Sequence, residues 1–254
     1  MIEVVIIGSG NVGKHLFDAL KTSKSVSIAQ IVGRNIDTLN YFGGSVDTTT
    51  DFSEIKEADI YIIAVNDDSI ASVSELVRNK SGVIAHTSGS MSIDVLSNHN
   101  RFGVFYPLQT LSRAHEVDFK SIPICVEAHN DNDLRLLMKL AGKVSDSVYE
   151  VDSNQRKKLH LAAVFVNNFT NHLYQIGSHI CQENGLSFEM LHPLLLETAK
   201  KVKTLSPYDA QTGPARRNDT ATIESHLEQL TNSDYKEIYA VLTKSIQQVY
   251  GKKL

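Results

Sequence analysis

The chain has 254 residues, of which 42% are hydrophobic, and its formal net charge is −4. This length leaves room for two domains, and the hydrophobic content argues against disorder. The weakly acidic balance gives no basic patch for nucleic acid or a membrane surface. Because the two cysteines lack metal-type spacing, and no signal peptide or membrane span is evident, we expect a soluble cytoplasmic protein without a metal site.

The first motif follows four β-branched residues at positions 4–7, which predict a buried parallel strand. A turn and the start of a helical pattern follow, formed by Gly8, Ser9, Gly10, Asn11, Val12 and Gly13. Gly8 permits the tight turn, Gly10 lets a pyrophosphate approach the backbone, and Gly13 lets the helix pack closely on the strand. The alternative is a structural turn without a ligand, but its place between strand and helix favours a dinucleotide site.

A second strand is predicted over residues 26–32 and ends next to Arg34 and Asn35. In a dinucleotide-binding fold, this position reads the adenosine ribose of the cofactor. An arginine suits the 2′-phosphate of NADP, whereas NAD sites usually place an acidic residue here. The alternative is a solvated surface arginine. We predict NADP as the cofactor.

A short strand near residues 44–48 and a buried strand over residues 59–65 come next. Ligands of open α/β sheets bind beyond the carboxyl ends of the strands, so Val65, Asn66 and Asp67 are predicted to line the cofactor cleft. Asp68 and Ser69 are explained by capping of the following helix.

Three further strands are predicted over residues 82–85, 102–105 and 122–126, and a last one over 148–151, with a helix over residues 131–141. The first of these ends in His86 and Ser88, the second in Tyr106 and the residues after it. Both loops could be ordinary turns. By the same placement rule, Ser88 is a candidate cofactor contact, and His86 and Ser88 are candidate walls of the active cleft.

Beyond residue 152 the pattern predicts helices alone, and a long helix over residues 153–183 is the informative one. Between Leu159 and Cys181 it has no charged side chain, so we expect a buried helix with an uncharged polar stripe that includes His160 and Asn168. Partners of the stripe could be a ligand, another subunit or neighbouring helices. His160 could equally be a satisfied core histidine or a proton donor in the cleft.

Pro193 is expected to kink a helical region over residues 188–205 or to mark its true start. The loop over residues 211–219 carries Arg216 and Arg217, and Arg216 could hold an anionic substrate or simply be solvated. Asp219 is predicted to cap a helix that runs to about Leu230. The last helix is predicted from about residue 233 to Gly251.

Together these motifs resemble a family of Rossmann-like NADP oxidoreductases of unassigned substrate. Its N-terminal half is similar to the deazaflavin-dependent NADP oxidoreductases, and its C-terminal half is of the 6-phosphogluconate dehydrogenase type. The resemblance rests on the glycine turn, on residues 86–89 and 107–110, on residues 160–165 with Asn168, and on residues 212–214 followed by Arg216 and Asp219.

The resemblance implies an α/β Rossmann domain over residues 1–151 and an all-α domain over residues 152–254. Relatives such as ketopantoate and pyrroline-carboxylate reductases imply hydride transfer from NADPH to a carbonyl or imine, and a dimer built through the helical domain. Three departures are Tyr106 and Arg217, where members often have histidine and glycine, and Val164, where hydroxyacid dehydrogenases have a lysine.

We therefore predict an NADP-dependent oxidoreductase that acts on a small molecule in an interdomain cleft. His160 is predicted as the acid or orienting donor and Asn168 as the hydrogen-bond donor to the substrate. The alternative is a non-catalytic homodimer that senses NADP(H) and uses the polar stripe as an interface.

Overall fold

The computed structural model describes residues 1–250, and its strands form an eight-stranded sheet. The strands are β1 Ile2–Ile7, β2 Val26–Val32, β3 Thr48–Thr49, β4 Ile60–Ile63, β5 Val83–His86, β6 Phe102–Pro107, β7 Ile124–Ala128 and β8 Val148–Glu150. Their order in the sheet is β3-β2-β1-β4-β5-β6-β7-β8. Neighbouring strands are parallel except for β6 and β7, which are antiparallel.

The direction of the sheet order reverses between β1 and β4. At such a reversal the connections leave on opposite faces, and a crevice opens beyond the carboxyl ends of the two strands. The sheet is therefore the predicted doubly wound, mostly parallel Rossmann sheet.

Alternate residues of the central strands bury opposite faces of the sheet. Val4 and Ile6 pack with Leu16 of the first helix on one face. Val5 and Ile7 pack with Val73 of the third helix on the other. Because both faces are covered, the central strands consist of uninterrupted β-branched residues rather than an alternating pattern.

The helices are α1 Asn11–Leu20, α2 Ile36–Leu39, α3 Ile70–Glu75, α4 Asp131–Val144, α5 Ser153–Ala163, α6 Thr170–Glu183, α7 His192–Lys201, α8 Pro207–Ala210, α9 Thr220–Gln229 and α10 Ser233–Tyr250. A π-helical segment, Val164–Phe169, connects α5 to α6. After β8, all regular elements of the described chain are helical, which confirms the predicted fold class. Within residues 1–250, no helix is both long and apolar enough to cross a membrane.

The chain divides into two compact units, Met1–Asn168 and Phe169–Leu254. The first contains the sheet, α1 to α5 and most of the π-helical segment. The second contains α6 to α10. The predicted domain boundary after residue 151 stays a prediction.

The long helical region was expected to be buried, and this expectation is wrong for the single chain. In α5 the side chain of Arg156 is buried, whereas Phe165 and Val166 of the π-helical segment are 62% and 75% exposed. The periodicity of a sequence shows which residues share a helix face, but it does not show what covers that face.

Several local predictions can also be compared with the structure. The short strand expected near residues 44–48 is shifted to Thr48–Thr49, because the backbone at Gly44 has a positive φ of 80° and belongs to a turn. Ser69 precedes α3 but makes no side-chain cap. Pro193 lies in the first turn of α7 and so marks its start, and Asp219 caps α9 as predicted. The predicted helix end at Gly251 lies outside the described residues.

Candidate functional site

The glycine turn connects β1 to α1 and is held tightly on two sides. Gly8 has a φ of 124°, and a Cβ atom there would overlap the carbonyl oxygen of Ala64, just beyond β4. A Cβ atom on Gly13 would overlap the carbonyl oxygen of Gly8. Packing within the protein therefore explains two of the three glycines.

The third glycine, Gly10, is not explained by packing. Its φ of −78° is open to any residue, and an added Cβ atom would have nothing within 4 Å. Gly10 is also the N-cap of α1 and, because it has no side chain, it cannot accept from the first N–H groups of the helix. An exposed helix N-terminus behind a residue without a side chain fits the approach of an anion such as a diphosphate.

A cavity of about 210 Å³ adjoins this turn. It brings together many of the predicted cofactor contacts, namely Gly8, Ser9, Gly10, Arg34, Asn35, Val65 and Asn66. Asn11, Val12 and Gly13 form the first turn of α1 beside it. The cavity thus joins the carboxyl ends of β1, β2 and β4, where the sheet order predicts a ligand.

Arg34 is exposed at the end of β2, and within residues 1–250 no hydrogen bond or ion pair engages its guanidinium group. Asn35 has a structural task, because its side-chain oxygen accepts from the N–H groups of Asp37 and Thr38 at 2.8 and 3.3 Å and so caps α2. The side chain of Arg34 therefore remains available for a phosphate.

Asp67 and Ser88 lie further along the carboxyl edge of the sheet and contact the same loop. Asp67 accepts a hydrogen bond from Ser90. The hydroxyl oxygen of Ser88 accepts from the N–H groups of Ser90 and Met91, at 3.1 and 3.0 Å. In the structure both side chains shape the loop after β5.

His86 ends β5 and is fully buried, so the expectation that it forms a wall of the cleft is wrong. Its Nδ1 atom accepts from the N–H group of Ser88 at 3.1 Å. Burial, together with the nearby charge of Arg156, lowers the pKa of His86 to about 4. The ring is neutral at physiological pH and holds the loop in place.

His160 lies on α5 in contact with the ends of β5 and β6. The hydroxyl group of Tyr106, at the end of β6, is 3.1 Å from His160 Nδ1. Gly89 lies against both rings, because a Cβ atom there would be 2.6 Å from His160 Nδ1 and 2.7 Å from Tyr106 Cζ. The glycine after β5 thus makes room for the histidine.

Burial, reinforced by the neighbouring Cys125, raises the pKa of Tyr106 to about 12. The phenol therefore keeps its proton at physiological pH and can donate it to His160 Nδ1. A neutral imidazole that accepts at Nδ1 carries its own proton on Nε2, where it can donate.

Arg156, one turn before His160, fixes α5 to the sheet. It is fully buried, pairs with Glu127 of β7, and donates to the carbonyl oxygen of Met91 at 2.6 Å. Ser153 accepts from the N–H group of Ile93 at 2.9 Å and donates to Glu127 at 2.8 Å. These contacts attach α5 to the loop that contains Gly89.

Sequence reasoning missed this arrangement. Arg156 stands beside two lysines at the start of a helix, which is typical of a solvated face. Tyr106 was noted only as a departure from the family pattern. The one available signal was the spacing of four residues between Arg156 and His160, which places both on one helix face.

Asn168, the other predicted catalytic residue, is exposed in the π-helical segment. It follows His160 by eight residues, which corresponds to about two helical turns. Such segments are frequent at functional sites, because the extra residue in the turn redirects neighbouring side chains. The role of Asn168 as a hydrogen-bond donor to a substrate stays a prediction.

The arginines of the loop before α9 have local partners. Arg216 donates to the carbonyl oxygens of Gln211 and Asp209, the latter at 3.3 Å, and lies 5.3 Å from the centre of the Tyr250 ring. Arg217 is 3.9 Å from Asp219. Arg216 therefore stabilises its own loop.

Comparison with known proteins identifies the family. The domain of unknown function DUF2520 matches residues 122–246. The chain is 38% identical to the "putative NADP oxidoreductase" BF3122 from Bacteroides fragilis, with a TM-score of 0.91 over 97% of this chain and 98% of that one. A comparison with curated proteins gives no match. The chain belongs to the family of Rossmann-fold oxidoreductases that includes the B. fragilis protein, which confirms the resemblance and the enzyme class predicted from the sequence.

More distant structures share the fold. Protein TM1727 from Thermotoga maritima is 20% identical, with a TM-score of 0.75 over 98% of this chain and 99% of that one. The reductive aminase from Aspergillus terreus, in complex with NADPH and ethyl levulinate, is 14% identical, with a TM-score of 0.69 over 100% and 95% of the two chains.

Proposed function

We propose that this oxidoreductase transfers a hydride between NADPH and the carbonyl or imine carbon of a small substrate, with His160 as the proton donor or orienting group. NADP is the cofactor, in line with the name of the 38% identical relative, which is an NADP oxidoreductase. The residues of this chain fit it: Gly10 leaves the uncapped start of α1 open to a diphosphate, and Arg34 presents an uncompensated cation.

The cofactor and the protein have different roles in this reaction. When bound, NADPH supplies the hydride, and the protein supplies position and a proton. Reduction of a carbonyl or imine leaves a negative charge on oxygen or nitrogen that must be protonated. His160 can donate that proton from Nε2 while Nδ1 takes the phenol proton of Tyr106, whose hydroxyl oxygen is 3.1 Å away, so that the imidazole stays neutral and the negative charge passes to Tyr106. Asn168 is proposed as a further hydrogen-bond donor to the substrate.

The observation that carries the proposal is the position of the His160–Tyr106 pair. Tyr106 is the second-last residue of β6, and Gly89, which contacts both rings, follows β5. Both strands end at the same edge of the sheet as the glycine turn, because β1, β4, β5 and β6 are parallel. A positioned imidazole and a cofactor site on one edge are what hydride transfer with protonation requires.

We also propose that the protein is a homodimer that associates through its helical unit. Large apolar side chains of that unit are exposed in the single chain, among them Leu173, Met190, Leu194, Leu196, Val241 and Val249. An exposed apolar surface of this extent favours association, and a second copy of the same surface is the simplest cover.

The first experiment is a titration of the purified protein with NADPH and NADH, followed by nicotinamide fluorescence. We expect tight binding of NADPH and weaker binding of NADH, because Arg34 gains a charged contact only with the 2′-phosphate. Carbonyl and imine compounds are then screened for oxidation of NADPH. A protein that binds neither nucleotide would refute the cofactor assignment.

The role of His160 is tested with His160→Ala once a substrate oxidises NADPH. Loss of a general acid lowers turnover by at least about 100-fold, whereas the NADPH dissociation constant is expected to stay within about twofold. His172→Ala, on the exposed part of α6, is the matched control. Equal losses of turnover and NADPH affinity would contradict the assigned role.

A further inference from the structure

The loop that follows β6 returns to the glycine turn, and three hydrogen bonds attach it to the turn and to the start of α1. Asn11 Nδ2 donates to the carbonyl oxygen of Leu111 at 3.0 Å. His15 Nε2 donates to the carbonyl oxygen of Ser112 at 2.9 Å. Arg113 Nη2 donates to the carbonyl oxygen of Ser9 at 2.6 Å. The three hydrogen bonds join residues that are about 100 positions apart in the chain, so tertiary folding brings this loop to the turn.

The contact with Ser9 places a full positive charge next to Gly10. The side chain of Arg113 is exposed, and in the described part of the chain its guanidinium group has no carboxylate partner. One N–H group binds Ser9, which leaves further donors on the same planar group. The guanidinium therefore lies beside the open helix N-terminus and is still able to bind an anion.

The charge of a dinucleotide explains why a cation is needed there. A diphosphate carries two negative charges, while a helix N-terminus contributes only about half a positive charge. Lys14, the cation that follows the turn, is 3.1 Å from Asp18 and lies over the Tyr41 ring at 4.7 Å. Its charge is already compensated. Arg34 is at the end of β2, on the ribose side of the site.

We propose that Arg113 is a cofactor-binding residue that neutralises the diphosphate of NADP at the glycine turn. The proposal rests on the proposed function and extends it, because it divides the two anionic parts of the cofactor between two arginines. Arg34 binds the 2′-phosphate, which only NADP has. Arg113 binds the diphosphate, which NADP and NAD share. The segment between β6 and β7 thus becomes part of the cofactor site.

The test compares Arg113→Gln with Arg34→Gln, using fluorescence titrations with NADPH and NADH. Arg113→Gln is expected to weaken the binding of both nucleotides by the same factor, at least about tenfold, because a charge-assisted hydrogen bond is lost. Arg34→Gln is expected to weaken NADPH by a similar factor and to leave NADH unchanged. Arg135→Gln, on the exposed side of α4, is the control and should change neither.

The salt dependence of binding shows whether Arg113 contacts the diphosphate directly or only anchors the loop. Screening at about 1 M ionic strength reduces the interaction of exposed charges, so the ratio of wild-type to Arg113→Gln affinity should approach one. Arg113→Lys, which keeps the charge, should bind both nucleotides more tightly than Arg113→Gln. Thermal melting of each variant without nucleotide checks that the fold is intact.

Three results would overturn the assignment of Arg113. They are an Arg113→Gln variant that binds both nucleotides as the wild type does, a loss of affinity limited to NADPH, and an affinity loss that persists at high salt. If the wild-type protein binds neither nucleotide, the proposed cofactor itself fails, and the role of Arg113 fails with it. If the wild type binds and Arg113→Gln binds equally well, only the Arg113 assignment is wrong.

Discussion

The two units of the chain bury their apolar residues to very different degrees. In the first unit the central strands are buried on both faces, and Val4, Val5, Ile6 and Ile7 are at most 1% exposed. In the described part of the second unit, the buried hydrophobic residues are Ala215 and Ile223 alone. The first unit therefore carries its own core, whereas the second forms helices whose apolar faces remain exposed.

This difference separates two sources of stability. The sheet unit gains hydrophobic free energy from contacts within the chain, at about 25 cal/mol for each Å² of apolar surface buried. Helices without a covered face gain little beyond their intrinsic propensity. A change inside the first unit should thus act on folding directly, and a change on the apolar surface of the second should act on association.

The largest effect is expected at Arg156, the buried anchor of α5 in the first unit. Arg156→Met removes the charged partner of Glu127 and the donor to Met91, and leaves a carboxylate with little exposure. Breaking a buried ion pair on one side costs about 3–5 kcal/mol in the free energy of unfolding. Urea unfolding measures this loss, with Arg135→Met as an exposed control.

A double-mutant cycle sharpens the result. Glu127→Gln removes the charge that Arg156→Met leaves uncompensated, so the double variant should be less destabilised than the sum of the single variants. Strict additivity would show that the pair does not contribute through its charges. Since the pair attaches α5 to the sheet, an additive result would weaken the structural basis for the position of His160.

A second prediction for the first unit concerns the loss of folding stability at low pH. His86 has a pKa of about 4 in the folded protein, against an ordinary value of 6.5, because it is buried near Arg156, while Asp67 opposes the shift. The unfolded chain binds the proton more readily than the folded one. The contribution of neutral His86 to the free energy of unfolding is therefore complete above about pH 6.5 and is lost as the pH falls towards 4. The difference between these two pKa values corresponds to a loss of about 3 kcal/mol in the free energy of unfolding.

His86→Gln removes this titration. Urea unfolding from pH 7 to pH 4 should therefore show a smaller decrease in stability for the variant than for the wild type. His172→Gln, at an exposed position in the second unit, should follow the wild-type curve. Parallel curves for His86→Gln and the wild type would show that His86 does not titrate as its burial requires.

Several elements could be predicted from the sequence because interactions between neighbouring residues determine them. A β-branched run predicted β1, and the glycine spacing predicted the turn. In the second unit, Pro193 and Asp219 likewise marked helix starts. In these cases the residue types are required by the backbone conformation or by the packing directly beside them. The doubly wound, mostly parallel sheet followed from the resemblance, whereas the order of the eight strands came from the structure alone.

The parts that could not be predicted depend on distant contacts. Arg113 reaches Ser9 across 104 positions, and Arg156 reaches Met91 across 65. Both arginines resemble solvated surface residues in the sequence, because nothing in their immediate neighbours signals a partner. The exposed face of the long helical region was misjudged for a related reason. A helix without charges is predicted to be buried, but its sequence does not show whether any other part of the chain covers it.

The smallest expected effect tests the comparison of the two units directly. Leu194 of α7 is 61% exposed, and Leu76, just after α3 in the first unit, is 50% exposed. Leu194→Asp is expected to raise the dimer dissociation constant by at least about tenfold, because it places a charge where about 1.5–3 kcal/mol of leucine burial is expected. Leu76→Asp should leave the dimer unchanged. Sedimentation velocity over a range of protein concentrations measures both.

The outcome decides what the exposed helix faces are for. If Leu194→Asp dissociates the protein and its helical content then decreases while the sheet unit stays folded, the second unit depends on the second copy for its core. If the wild type is a monomer at micromolar concentration, the homodimer proposal is wrong, and the apolar faces must be stable in water. If Leu194→Asp and Leu76→Asp changed the dimer dissociation constant equally, the two exposed leucines would contribute equally to association. The surfaces of the two units would then not differ in the way proposed.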